Sequence, residues 1–128
     1  FRKTLTYSIP QSYHLNMAHL VGTLQKEDML QCLAAYSGDN IVAAVAFIVT
    51  EKKVYYFLAG SNEEGKEKKA MFLLVQSCIE SYAGTSKQLD FAGSRLPGVA
   101  KLYKGFGAVN ERYFLSEYTK IPFLHRFF

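Results

Sequence analysis

Apolar positions recur along this chain with two different periods. Tyr13, Met17, Leu20 and Leu24 fall at helical spacing, which predicts an amphipathic helix over residues 11–24. An extended stretch precedes it and ends at Pro10, which biases Ile9 away from helix. From Leu30 the period shortens. Leu30, Cys32, Ala34 and Tyr36 alternate with smaller or polar residues and suggest a strand over residues 30–37, although Lys26-Glu27-Asp28 would also open a helix there. Gly38-Asp39-Asn40 reads as a hairpin turn. Ile41–Thr50 is nearly all apolar, so it is expected to be a central strand buried on both faces. Glu51-Lys52-Lys53 is a polar reversal, and Val54–Ala59 is a third strand.

The second half turns helical. Gly60–Gly65 is a loop in which Ser61 and Glu64 fit a capping box. A largely buried helix is expected from about Lys66 to Tyr82, with Met71, Leu74, Val75, Cys78 and Tyr82 in one stripe and Phe72 and Ile79 widening it. Gly84 is a plausible stop. Gln88–Phe91 is a short strand, and Pro97 suits the first turn of a helix that faces the core with Leu96, Val99, Ala100 and Tyr103. Val109–Tyr118 reads as a last strand, and Pro122 opens a short C-terminal turn or helix. The order is a helix, then β-β-β-α-β-α-β. Such an order implies an α/β (α+β) domain with a mixed, mostly antiparallel sheet and flanking helices.

Composition narrows the classes. At 128 residues the chain reads as one domain, 1–128, and 49% hydrophobic with 20% charged residues argues against disorder. The longest apolar run is far short of the ~20 residues a membrane helix needs. Cys32 and Cys78 read as thiols in a reducing compartment, hence a cytoplasmic protein, though one disulfide between them is possible. His14 and His19, five apart, do not share a helix face, and no metal site is expected. A net charge of +4 with scattered lysines makes a nucleic-acid partner an unfavoured reading. The chain begins at Phe1 and ends Arg126-Phe127-Phe128, which suggests a piece of a longer or processed polypeptide.

Local words sharpen this. Val42-Ala43-Ala44, then Tyr55–Ser61 with Glu63-Glu64-Gly65, then Leu89-Asp90-Phe91-Ala92-Gly93-Ser94, Pro97–Lys104 and Phe106-Gly107-Ala108 occur in one order. Together they resemble the C-terminal half of GNAT-like, FemAB-related acyltransferases over about residues 30–126. The resemblance implies a GNAT-like sheet whose N-terminal part is missing, since too few residues precede the first hairpin.

The resemblance also implies chemistry. The strand before the long helix would offer its backbone at Leu58, Ala59 and Gly60 to the arm of acetyl-CoA or another acyl-CoA. The following loop would wrap the pyrophosphate with backbone N–H groups, which places Asn62, Gly65 and Lys66 at the donor. Asn62 stands where the family has Arg or Gln, and Glu67 stands where it has a second small residue. Glu63, Glu64 and Glu67 bring negative charge to the same place, as residues of a plain capped helix also would. Tyr103, four residues before Gly107, resembles the tyrosine that protonates the leaving thiolate. Asp90 is a candidate base for the amine, or a turn aspartate.

Two functions are therefore expected. One is acyl transfer from acyl-CoA, or from an aminoacyl donor such as a charged tRNA, to an amine. The other is a non-catalytic structural or dimerising lobe of a larger protein. A basic surface of Lys66, Lys69, Lys101 and Lys104 would mark RNA contact. Exposed strand edges and the aromatic C-terminus predict self-association or cover by a missing lobe.

Overall fold

The computed structural model describes residues 10–93 and 97–117. The chain divides into two units, Phe1–Arg95 and Leu96–Phe128. In the first, helix α1 (Gln11–Lys26) precedes strands β1 (Leu30–Ser37), β2 (Asn40–Val49) and β3 (Lys53–Ser61). Helices α2 (Glu63–Glu67) and α3 (Ala70–Tyr82) follow, then β4 (Gln88–Asp90). The second unit holds α4 (Pro97–Gly105). The strands form one sheet in the order β1-β2-β3-β4, with the first three antiparallel and β4 parallel to β3. This is the mixed sheet with flanking helices that the element order implies.

Residues 30–37 are a strand because the Lys26-Glu27-Asp28 segment ends α1 instead of opening a helix. Asp28 is left-handed at φ 56°, and the Met29 N–H bonds back to Leu24 while its carbonyl accepts the Val49 N–H. The Gly38-Asp39 turn follows, with Gly38 at φ 59°. Thr50 closes the next reversal. Its N–H and hydroxyl both reach the Lys53 carbonyl, and its Oγ1 accepts from the Lys53 N–H.

The core lies between the sheet and α3. Phe47, Val54, Val75 and Cys78 are almost wholly buried, with Ala35, Val42, Ala43, Val45 and Leu74 around them. Ala70, Leu74, Val75 and Cys78 face inward on α3, whereas Phe72 and Ile79 are exposed, so the apolar stripe is narrower than its sequence suggests.

Four further expectations are corrected. The helix expected from Lys66 is broken: α2 ends at Glu67, and Lys69 takes a left-handed turn at φ 54° before α3. Asn62, not Ser61, is the cap, and its side chain accepts from the Gly65 N–H. β2 is buried on the α3 face only, and Ile41 and Ala44 are exposed. Residues 108–117 form no strand, and Val109, Tyr113, Phe114 and Leu115 are exposed. A strand exists only where a second one pairs with it, and none among the described residues does so here. The turn expected at Pro122 lies outside the described residues. No helix of the described residues is long and apolar enough to cross a membrane.

Candidate functional site

The site grows from the way β3 parts from β4. Their parallel pairing runs Lys53 to Gln88, Val54 to Leu89 and Tyr55 to Asp90, and stops. At the next step β3 bulges, because Tyr56 pairs with Phe47 and Leu58 with Ala46, leaving Phe57 over. A bulge bends its strand and adds twist, which carries β3 away from its neighbour. Tyr56 packs at the narrow end, its ring centroid 5.9 Å from Phe91 on one side and 5.9 Å from Phe47 on the other.

Beyond the bulge the backbone has a side that no strand among the described residues covers. The Asn62 N–H donates to the Val42 carbonyl at 3.0 Å, which makes that pair a bonded one. Antiparallel alternation then points the main-chain groups of Gly60 and Leu58 at β2, and those of Ala59 and Ser61 away from it. Among the described residues no strand pairs with β3 on that outer side past Tyr55. Of the residues expected to meet a donor, Ala59 thus presents its backbone outward. Leu58 and Gly60 present only side chain and Cα.

The loop after β3 is self-contained. The Gly65 N–H is taken by Asn62 Oδ1 at 2.8 Å, the Asn62 N–H by Val42, and the Lys66 N–H by the Asn62 carbonyl at 3.0 Å. A Cβ at Gly65 would stand 2.1 Å from the Val42 carbonyl oxygen, so the glycine is required by close packing of α2 on β2. Lys66 Nζ lies 2.6 Å from Glu63. Lys68 lies 2.7 Å from Glu64, and both reach Ser37 Oγ at the end of β1. The bonds from Lys68 and then Ser37 hold the Glu64 carboxyl below its ordinary value. Glu63 and Glu64 are thus matched by the loop's own lysines.

Asp90 is tied on both oxygens. Oδ1 accepts the Ala92 N–H at 2.9 Å and Oδ2 lies 3.0 Å from Lys53 Nζ. These contacts, Ala92 first and Lys53 second, hold its carboxyl below the usual range. Ala92 and Gly93 are left-handed, at φ 58° and 74°, so the carboxylate fastens the turn that leaves β4. Tyr103, on α4, is partly buried, and burial pushes its phenol upward. Lys101 and Lys104 on the same helix are exposed.

One feature of this site is missing from the sequence expectations. A groove of about 440 Å³ crosses the sheet, lined by Cys32, Ala34, Ala44, Ala46, Leu58 and Gly60 among others. The signal for it was present, since Cys32 and Ala34, and Ala44 and Ala46, are small residues two apart, on one face of their strands. Among the described residues no group of His, Cys, Asp and Glu is placed to hold a metal.

Comparison with known proteins agrees with the sheet. The model of the acetyltransferase (GNAT) domain matches residues 3–104. An apo aminoglycoside antibiotic 6'-N-acetyltransferase from Acinetobacter haemolyticus is similar at 15% identity, with 90% of this chain and 85% of that one covered and a TM-score of 0.63. A possible acetyltransferase from Clostridium difficile 630 has 11% identity, 94% and 84% coverage and a TM-score of 0.63. A ribosomal-protein-alanine N-acetyltransferase from Brucella melitensis biovar Abortus 2308 has 16% identity, 77% and 76% coverage and a TM-score of 0.55. No curated protein matches the sequence significantly. At these identities the solved structures speak for the fold alone, and the family model, spanning most of the chain, carries the assignment: this chain belongs to the acetyltransferase (GNAT) domain family.

Proposed function

We propose that this chain is an N-acyltransferase that moves an acyl group from acyl-CoA to an amine. The observation that carries the reading is the outer edge of β3 past the Tyr55–Asp90 pair, which no strand among the described residues covers, with the Ala59 and Ser61 main-chain groups turned outward. A strand edge with unpaired amides and carbonyls suits an amide-bearing arm, which bonds to it as another strand would. Amine acylation agrees with the N-acetyltransferase names of two relatives of this fold.

The donor supplies a thioester, whose carbonyl is open to attack by an amine. Ala59 and Ser61 orient its arm, while Leu58 and Gly60 shape the face beside it. Asn62 and Gly65 hold the loop at the far end, and Lys66 reaches an anionic head group by leaving Glu63. The amine nitrogen bonds to the acyl carbon as the carbon–sulfur bond breaks. The family resemblance assigns the Tyr103 phenol to give its proton to the departing sulfur, with solvent refilling it and taking the proton the amine releases. The upward shift of the phenol keeps it protonated, as an acid must be. Asp90 serves the β4 turn in this account, since acting as a base would mean leaving Lys53 and Ala92.

A second reading has one observation in its favour. The Asn62 and Gly65 amides are occupied within the loop, as they would be in a lobe that keeps the fold without a donor. Calorimetric titration with acetyl-CoA, then with free coenzyme A, separates the two. The acyltransferase reading requires saturable binding of both. Absence of heat at millimolar ligand leaves the structural lobe, or an aminoacyl donor of the FemAB kind.

A further inference from the structure

The sheet groove lies on the face away from α3. Its floor is two rows in register across three strands. Cys32, Ala46 and Leu58 form one row, and Ala34, Ala44 and Gly60 the other. Cys32, Ala34 and Ala44 are exposed, while their strand neighbours Ala35, Ala43 and Val45 are buried under α3. Small side chains make the floor low, and Ile41 stands at its edge. No charged side chain among the described residues lines it, and Ser61 and Asn62 at one end are its polar ones. Its volume of about 440 Å³ is that of a small-ligand site.

We propose that this groove seats an aliphatic acyl chain longer than acetyl, carried by the donor. The inference rests on the donor reading above. It follows from continuity: the third wall of the groove is Leu58–Ser61, the stretch whose opposite edge is free for the donor arm. A chain that leaves the arm there and folds over Gly60, which has no side chain, enters the groove within one strand's width. A polar or charged acyl group would lose its water with no carboxylate, lysine or arginine to meet it, whereas methylenes lose nothing by entering.

The protein carries its own reporter. Cys32 is exposed in the groove, and Cys78, the other thiol, is 1% exposed. Alkylation of Cys32 in the 128-residue chain by iodoacetamide is followed with coenzyme A, acetyl-CoA, octanoyl-CoA or octylamine present. Each buried methylene is worth about fourfold in affinity, so octanoyl-CoA should half-protect Cys32 at a concentration at least about tenfold lower than acetyl-CoA. Ala44→Phe and Ala34→Phe, both at exposed positions, should erase that advantage while the calorimetric affinity for acetyl-CoA stays within about twofold. Equal protection by the two thioesters, or protection that survives both variants, overturns the proposal. Protection by octylamine without protection by octanoyl-CoA also overturns it and gives the groove to the acceptor. If coenzyme A binds and the chain adds nothing, this inference alone fails. If no thioester binds, the donor reading fails with it.

Discussion

Tyr55 and Asp90 form the last rung between β3 and β4. Everything attributed to the site depends on where that rung stops. Above it, Lys53 and the Ala92 turn brace the Asp90 carboxylate, so β4 ends firmly. Past it, the Phe57 bulge turns β3 away and leaves a strand edge without a partner among the described residues.

Ala59→Pro tests that edge. The Ala59 N–H points away from β2, so proline removes an outward donor and spares the ladder, as it does on edge strands. Donor affinity should fall at least about tenfold by calorimetry, the loss of roughly 1.4 kcal/mol. Ala59→Val, which keeps the N–H, should bind within about threefold of the parent.

Gly65→Ala should destabilise the fold by about 1–3 kcal/mol in urea titration, because its Cβ meets the Val42 carbonyl oxygen at 2.1 Å. The loss should appear with or without a donor present. Parental stability together with weakened donor binding would instead mean that the glycine serves the ligand.

Asp90→Asn should cost about 1–2 kcal/mol at neutral pH, through loss of charge opposite Lys53. The folded carboxyl titrates below its unfolded value, so its contribution is complete above the unfolded pKa, about 3.9. That contribution fades as pH falls through the lower folded value. The gap between variant and parent should therefore close in acid, as followed by thermal melts across pH. A fall in turnover with no change in stability would restore Asp90 as the base.

Tyr103→Phe should lower kcat by about 100-fold or more while donor affinity stays within a few-fold. Burial pushes this phenol up, so the alkaline decline of the parent's activity should lie above the ordinary tyrosine range near 10. An unchanged kcat would make Tyr103 a packing residue of α4.

The two thiols should differ sharply. Burial pushes Cys78 up to about 11, and its side chain is in the core. One thiol per chain, Cys32, should react with a thiol reagent in native protein, and a second only after denaturation. Native reaction of both would mean that α3 opens readily from the sheet.

Much of this architecture was legible in residue order. Strands announced by Val54–Ala59 and by the Gly38-Asp39-Asn40 turn depend on local patterning, and they form where expected. The family words placed the donor at Leu58–Gly60, but the sequence did not show the ladder's phase, fixed by the Asn62–Val42 bond, which turns Ala59 outward and Leu58 and Gly60 toward β2. Nor did it show the break at Lys69, a left-handed residue with no glycine to mark it. Gly65 read as a phosphate-loop glycine, yet its neighbour across the fold, Val42, is what requires it. Ile41–Thr50 looked buried on both faces because alanine is apolar wherever it lies. Only the position of α3 tells which of its alanines are covered.

A donor arm along the outer edge of β3 should be visible residue by residue in amide-resolved NMR titration with acetyl-CoA. Saturable shifts should concentrate at Ala59 and Ser61, with the β2-facing amides of Leu58 and Gly60 shifting less. Shifts that avoid β3, or none at millimolar ligand, would contradict that placement.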